Sequence, residues 1–542
     1  MIAEIRVAGP LGLLLQLDSL DDVLAVHQHL AENPLPGQVD AVAAASTVML
    51  SFASRAGVRA ARKELTTLKD LTFEAGTSRD VNIEVVYDGE DVDELASALD
   101  MSRDALIDWH SGQKWVGAFG GFAPGFTYCT ALGEEKSVPR RPSPRTAVPE
   151  RSVAVAGGFS SVYPRLSPGG WQLLGRTPSR MWDLDRESPA FVSPGDTVQY
   201  VPVPPESITI TSDGDQKPAG ESPDAPGTAA LTVVKPGMQL LIQDPGRAGH
   251  SDLGVSRAGV ADEAAARQAN RLVGNPESAA VLEILNGGTE LRAERTSILA
   301  VTGAELSLTI TSTDGATRTP AQCAPFALIE GERLALGMAT VGMRAVLAIR
   351  GGVTGREELG SLSSDTMSGL GPAPLEAGGT IAVGDLPTRA VGEREPSTLP
   401  TRDADGAITV RFTYGPRDDW FDGDEKIRLN TQTWRVTAQA NRVGVRLEPD
   451  PSDPENRPLA RARTDELASE GVPRGSLQMP PEGNPVLFLN DHPVTGGYPV
   501  IGVVIPPDLS AAAQLRPGDT LRFMPVDPQS LTPTQLAASA SS

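Results

Sequence analysis

Cysteine is almost missing from this chain. Cys129 and Cys323 are the two present in 542 residues, which excludes a disulfide framework and a cysteine-rich metal site. Aromatic residues are scarce at 4%, while 55 Gly and 46 Pro are spread without a short period. That balance suits a turn-rich β protein better than a helical bundle. Positive charge is in short supply too: 47 Lys and Arg against 69 Asp and Glu leave −22. Nucleic acid is excluded as a partner, because phosphate binding needs clustered cations. No apolar run approaches the roughly 18 residues of a membrane span, and MIAEIRV opens without a charged segment ahead of an apolar core. The expectation is a soluble, cytoplasmic chain with no membrane partner. Chemical signatures are missing as well. There is no G-x-x-x-x-G-K-[ST] phosphate loop, no H-E-x-x-H and no G-x-S-x-G elbow. The five histidines, His27, His29, His110, His250 and His492, are scattered, so no metal site is expected.

What the chain does contain is a repeat. SPGGWQLLGRTP at 167–178 is followed by VSPGDTVQYVPV at 192–203; VTGGYPVIGVVI at 494–505 is followed by LRPGDTLRFMPV at 515–526. Each copy has a Gly-Gly-aromatic turn, an apolar strand, a gap, then Pro-Gly-Asp and a closing strand. Pro presets the turn, Gly supplies positive φ and Asp bonds back to the backbone. Shared order and similar spacing point to two related β-rich modules in tandem.

The clearest break is 204–230, rich in Pro, Gly, Ser and Asp and unable to contribute to a core. The expected organisation is a small α+β domain over 1–80, a β module over 81–204, a linker over 205–230, a β-rich region over 231–527 and a disordered tail over 528–542. Within these, 39–52 reads as a strand, 55–68 and 91–110 as helices, and 261–272 as a helix closed by Gly274 and Asn275. The polar stretch 387–406 reads as a long surface loop.

Polar residues gather in Gly- and Pro-rich segments, where a ligand can approach the backbone. PRRPSPRTAVP at 139–149 stiffens Arg140, Arg141 and Arg145, whose guanidinium groups suit carboxylate or phosphate, or serve as a solvated basic loop. Arg176 ends the strand after AGGFSSVYP. QDPGRAGHSDLGVSRAGVAD at 243–262 packs Gln243, Asp244, Arg247, His250 and Asp262 into one loop. SEGVPRGSLQ at 469–478 and Asn490–Asp491–His492 make a further cluster.

GFAPGFTYC, VPRRPSPRTAVP and SPGGWQLLGRTP resemble the carboxyltransferase-like C/D family, also called KipI or allophanate hydrolase subunit 1. QDPGRAGHSDLGVSRAG, ANRLVGNPESAAVLEILNGG and SEGVPRGSLQMPPEGNPVLFLNDHPVTGGYP resemble the A/B family, KipA or allophanate hydrolase subunit 2. Together they cover nearly the whole chain, which looks like a fusion of the B and C subunits of bacterial 5-oxoprolinase. The resemblance implies a mainly β fold with α+β, a small N-terminal α+β domain and tandem cyclophilin-like β-barrels. It also implies ATP-driven opening of 5-oxo-L-proline to L-glutamate with Mg²⁺, and, as partner, a separate 5-oxoprolinase A subunit of the LamB/YcsF-like type.

On that reading Arg145 and Arg176 bind phosphate or substrate carboxylate, and Gln243, Arg247 and Gln478 are polar binding groups. Asp491 and Asp244 act at the chemical step, Asp491 as base or Mg²⁺ ligand, with His250 and His492 as proton carriers. The bland readings are a barrel-closing salt bridge for Arg176 and turn caps for Asp244 and Asp491. The loops of Gln243, Gln478 and Asp491 are expected to converge on one cleft, and those of Arg145 and Arg176 on another. The chain departs from the family pattern at Phe159, Ala258 and His492. It lacks the biotin-attachment Met-Lys-Met of urea carboxylase and the amidase signature of a true allophanate hydrolase. A regulatory protein acting on a sensor histidine kinase is the alternative class.

Overall fold

The two Pro-Gly-Asp turns have the same structure in the computed structural model. Ser193 N donates to Asp196 Oδ2 and Arg516 N to Asp519 Oδ2, each at 2.8 Å. Gly195 and Gly518 take φ of 90° and 91°, which only glycine adopts without strain. Each aspartate also holds an arginine, Arg79 at 2.5 Å and Arg402 at 2.8 Å.

From these turns the closing strands, Thr197–Pro202 and Thr520–Pro525, run parallel to the opening strand of their own module and antiparallel to the next. In the first module the sheet order is Gln172–Arg176, Ser152–Ala156, Phe159–Val162, Ala123–Ala131, Lys114–Gly121, Thr197–Pro202, Asp80–Val85. A single bridge, Val86 to Arg176, joins its two ends. In the last module the order is Val500–Val504, Ser476–Gln478, Val486–Phe488, Gly444–Pro449, Trp434–Ala440, Thr520–Pro525, Ile408–Tyr414, closed into a barrel. Taken by rank along the chain, the two orders are identical. A small two-stranded ladder, Arg145–Val148 with Ser167–Gly169 or Glu470–Gly471 with Thr495–Gly496, precedes the same strand in both. Even the buried indoles agree: Trp115 Nε1 donates to His110 O and Trp434 Nε1 to Leu429 O. Gene duplication of a seven-stranded barrel accounts for all of it.

The structure describes residues 2–69, 71–73, 79–141, 143, 145–207 and 227–534. The N-terminal unit is a four-stranded antiparallel sheet with helices Leu20–Glu32 and Arg55–Leu65. The stretch read as one strand over 39–52 is a hairpin, Gln38–Ala43 and Thr47–Phe52, because Ala44 N returns to Thr47 O. The helix read over 91–110 is two, Val92–Ala98 and Arg103–Ser111, parted at Asp100 with φ 54° and restarted by Ser102 as N-cap. The interior of the expected linker, 208–226, and the tail 535–542 lie outside the described residues. Residues before that tail fold back, Thr534 N donating to Pro525 O.

Between 228 and 383 two sheets of seven and five strands enclose a large apolar core. Helix Glu263–Val273 packs on the five-stranded sheet, capped by Asp262 and ended by Gly274 at φ 77°. Helices Gly423–Thr431 and Pro506–Ala513 are additional to the sequence reading; both are short and weakly amphipathic, so periodicity could not announce them. The last barrel is pinned to the sheets by buried Gln514, which donates to Asp262 and Arg344 O and accepts from the backbone of Met343 and Arg344. No described helix is long and apolar enough to cross a membrane.

Candidate functional site at the junction of the halves

The glycines of GGFAPG are where the first half meets the second. A Cβ on Gly120 would lie 2.1 Å from Asp252 O, and one on Gly254 2.4 Å from Ala123 O. Only bare backbone allows this approach. Phe122 N donates to Thr495 Oγ1 at 3.0 Å, and Asp40 of the N-terminal unit accepts from Gly249 N and Ser251 N.

Behind that contact, one loop, 361–371, collects the motif residues of the second half. Asp244 accepts from Ser361 Oγ and Ser363 Oγ at 2.6 Å each and from Leu362 N at 2.8 Å. Gln243 Nε2 donates to Ser364 O, Arg247 Nη2 to Ser363 O, and Ser256 Oγ to Asp365 Oδ2. Asp491 Oδ2 accepts from Thr366 N and Oγ1, at 2.9 and 2.6 Å. Asp491 is also gripped by Arg442 Nε and Nη2, and Arg442 reaches Glu283 Oε1 at 2.5 Å and Gly259 O at 2.6 Å. All three charged side chains are within 4% of full burial. Burial lowers the Arg442 pKa, but Asp491 and Glu283 more than offset it and the net shift is upward. Burial pulls Glu283 up, and Arg442 and Arg344 hold it below the ordinary carboxylate value.

Two cations flank this loop with donors to spare. Arg247 is 2% exposed, and its Nη1 is buried without a hydrogen-bond partner among the described residues. Arg165, from the first half, is half-buried and its guanidinium makes no hydrogen bond or ion pair among the described residues; its Nη1 lies 3.7 Å from where Gly369 would carry a Cβ. Burial lowers the pKa of each, with Asp365 the leading opposing charge. The two guanidinium groups, one from each half, flank the same loop, and Asp365 is the opposing charge that acts on both.

The other sequence candidates lie elsewhere. Arg145 is committed to Asp91 at 2.7 Å and Glu90 at 3.1 Å; Asp91 also takes Arg141 and Leu173 N. In the last barrel the equivalent pair is charge-reversed: Arg417 holds Glu470 at 2.7 Å, and Arg417 N meets Val500 O as Asp91 N meets Leu173 O. Arg176 pairs with Asp88 at 2.8 Å beside the bridge that joins the first barrel's ends. Gln478 is buried on a barrel strand with Nε2 on Tyr498 O. His250 lies near Asp252, between Gly249 and Ser251, whose backbone N–H groups meet Asp40 of the N-terminal unit. His492 is stacked on Phe488 at 5.6 Å, with Nδ1 2.8 Å from Pro493 O, and burial pushes it down to about 4. Cys129 is pushed up to about 12 by burial and stays a thiol.

Sequence reasoning passed over Arg165 and Asp365, and with them Arg442, Glu283 and Thr366, which hold Asp491 and its loop. Arg165 stands between AGGFSSVYP and SPGGW, the single cation between two motif segments, and that position was its only signal.

Two duplicated barrels, sheets between them and a shared junction define a carboxyltransferase-type β protein. The chain belongs to the carboxyltransferase domain family: subdomain C and D matches residues 3–192 and subdomain A and B matches residues 253–525. It is 32% identical to the C subunit of 5-oxoprolinase from Escherichia coli (strain K12) over 300 residues, 54% of this chain and 90% of that protein. It is 41% identical to the B subunit of 5-oxoprolinase from Escherichia coli O157:H7 over 128 residues, 23% of this chain and 59% of that protein. The crystal structure of TTHA0988 superposes with a TM-score of 0.81 at 32% identity, covering 94% of this chain and 99% of that one. Similarity to the urea amidolyase of Lachancea kluyveri, 30% identity, spans 17% of that protein. The chain thus joins homologues of the B and C subunits of 5-oxoprolinase, a hydrolase complex, in one polypeptide.

Proposed function

We propose that this chain is the fused B and C subunits of an ATP-dependent 5-oxoprolinase, opening 5-oxo-L-proline to L-glutamate with a separate LamB/YcsF-like subunit. The observation that carries the reading is that Arg165 and Arg247 flank one loop, one arginine from the half that resembles the B subunit and one from the half that resembles the C subunit. An unstrained lactam resists water, so the reaction needs its oxygen converted to a leaving group and the charge on that oxygen held. Arg247 Nη1, buried without a partner among the described residues, and the half-buried Arg165 guanidinium supply the donors that would hold a carboxylate or phosphoryl group.

ATP supplies the phosphoryl group that activates the lactam. The described residues contain no cluster of three or more His, Cys, Asp or Glu able to hold a metal ion, and the Asp491 carboxylate is engaged by Arg442 and Thr366. A Mg²⁺ site does not fit these residues, and we assign the nucleotide and its metal to the partner. Asp491 acts through position: with Arg442 it fixes Thr366 and so the loop that Arg165 and Arg247 flank. Adding the partner subunit and Mg-ATP to the purified chain is expected to yield ADP and glutamate in equal amounts. Hydrolysis of 5-oxoproline by this chain alone, without ATP, would contradict the assignment.

A further inference from the structure

The strand Ile2–Val7 lies at the edge of the N-terminal sheet and pairs with Gly12–Leu17 alone. Its other edge carries backbone N–H and C=O groups with no partner among the described residues. Such an edge is a template for a further strand, and proteins ordinarily cover or blunt it. A bulge at Ala3 interrupts the ladder, which discourages indiscriminate pairing without closing the edge. The Val7 end is covered, since Arg6 reaches Pro416 O and Asp419 of the last module at 2.8 and 2.9 Å. The Ile2 end is open. Beside it runs a groove of about 570 Å³, with residues 2–5 on one wall and the end of helix Arg55–Leu65 and the turn after it on the other. Ile2, Ile5 and Leu68 are half-buried there, packed on the core that holds Leu65. Four residues of strand span about 13 Å, the length of a short added strand.

The free charge along this groove is positive. Arg62 and Lys69 line it, and Arg59 and Lys63 stand beside Arg62 on the same helix; all four are exposed and have no ion pair among the described residues. The carboxylate in the lining, Glu4, is taken by Arg6 at 2.8 Å, and Glu64 is the one acid on the helix. On a chain of net charge −22, this excess of cations attracts an acidic partner that most of the surface repels. The same charge decides between occupants. A second copy of the chain would bring these cations face to face across a two-fold axis, and like charges oppose that. The chain's own terminal stretch, 535–542, reads QLAASASS and has no acidic side chain. An extended acidic segment of a separate protein satisfies the edge, the apolar floor and the charge together.

We propose that the partner subunit of the enzyme docks in this groove, laying an extended acidic segment along residues 2–5 with its carboxylates on Arg62 and Lys69. Apolar side chains alternating with those carboxylates pack on Ile2, Ile5 and Leu68. The proposal rests on the reading of this chain as one part of a two-protein enzyme. No residue of the 361–371 loop lines the groove, so docking there anchors the partner and leaves the chemistry at the junction.

The test is calorimetric titration of the full chain with the purified LamB/YcsF-like subunit at low ionic strength, run beside the glutamate-release assay. Arg62→Glu and Lys69→Glu each weaken binding by at least about fivefold. Arg446→Glu, which reverses an exposed cation of the last barrel without an ion pair among the described residues, leaves Kd within about twofold. Bound partner slows amide exchange at residues 2–5 by at least about tenfold, as strand pairing requires and charge attraction alone does not. Saturating partner restores glutamate release in both groove variants. Circular dichroism establishes that the variants fold. If the partner binds and glutamate is released, yet both groove variants bind within about twofold of the parent or residues 2–5 gain no protection, the docking site is wrong and the 5-oxoprolinase reading stands. If the partner does not bind the parent chain, both fall. A parent chain that dimerises through residues 2–5, or that loses their protection when cut after Thr534, gives the groove to a second copy or to its own terminus and overturns the proposal.

Discussion

Arg442→Met tests how the junction loop is held. The variant keeps the bulk of the side chain and removes the cation shared by Asp491 and Glu283, with side chains 0% and 4% exposed. Glu283 retains Arg344 at 3.6 Å, while among the described residues Asp491 retains only the two donors of Thr366. Removing one partner of a buried ion pair leaves a buried charge and costs about 3–5 kcal/mol. At about 2–4 °C per kcal/mol, the melting transition of the second half falls by about 6–20 °C. Urea and thermal melts measure it. The double variant Arg442→Met/Asp491→Asn, which removes the orphaned charge, recovers at least about half of the loss. Amide exchange at Thr366 speeds up before that of the surrounding sheets. A single-variant loss under about 1 kcal/mol, or no recovery in the double variant, would refute the view that this buried chain of charges holds the loop.

Two other perturbations bear on the same structure. Gly120→Ala places a Cβ 2.1 Å from Asp252 O, so limited proteolysis should cleave around 120–126 and 249–254 faster than in the parent, while far-UV circular dichroism stays unchanged. His110, enclosed by Tyr87, Trp109, Trp115 and Tyr200, is pushed by burial down to about 3 from 6.5. The unfolded chain therefore takes a proton that the fold refuses, and stability that is complete above pH 6.5 is lost at up to about 1.4 kcal/mol per pH unit as pH falls toward 3. Urea midpoints at pH 7, 6 and 5 should decline with that sign, and His110→Gln should flatten the decline; a stability that rises on acidification would contradict it.

The parts of this protein written in short segments are legible in the amino-acid sequence. Each Pro-Gly-Asp turn carries its own φ requirement and its own back-bonding carboxylate, so the duplicated barrel could be read from them. Gly274 likewise announced the end of a helix, while its start, read at Ala261, falls at Glu263 behind the Asp262 cap. The Gln243–Arg247 and Asp491 loops both reach the 361–371 loop, through Ser364 and Thr366, while Gln478, expected with them, stays on its barrel strand with Nε2 on Tyr498 O. What failed to show was pairing across long separations. Nothing near Arg145 in sequence indicates that Asp91 would take its charge, or that the second barrel would reverse the pair as Arg417 and Glu470. Arg165 and Asp365 are brought together only by docking of the halves. His110, Ser160 and Tyr200 form a polar chain inside the first barrel, His110 Nε2 to Ser160 Oγ at 2.8 Å and Ser160 Oγ to Tyr200 at 3.0 Å. Each stands alone in sequence and belongs to a different element.

The most direct test of the account compares Arg165→Ala with Arg145→Ala in the complex reconstituted from this chain, the partner subunit and Mg-ATP. The measured quantity is kcat/KM for 5-oxo-L-proline, corrected for the folded fraction. The Arg165 guanidinium has no partner within the described chain, so its loss removes a charge-assisted contact worth about 1.5–3 kcal/mol, a fall of about 10- to 150-fold. Arg145 is spent on Asp91, and its removal leaves kcat/KM of the folded enzyme within about threefold. Unchanged kcat/KM in Arg165→Ala, or a large loss confined to Arg145→Ala, would contradict a site built at the junction of the two halves.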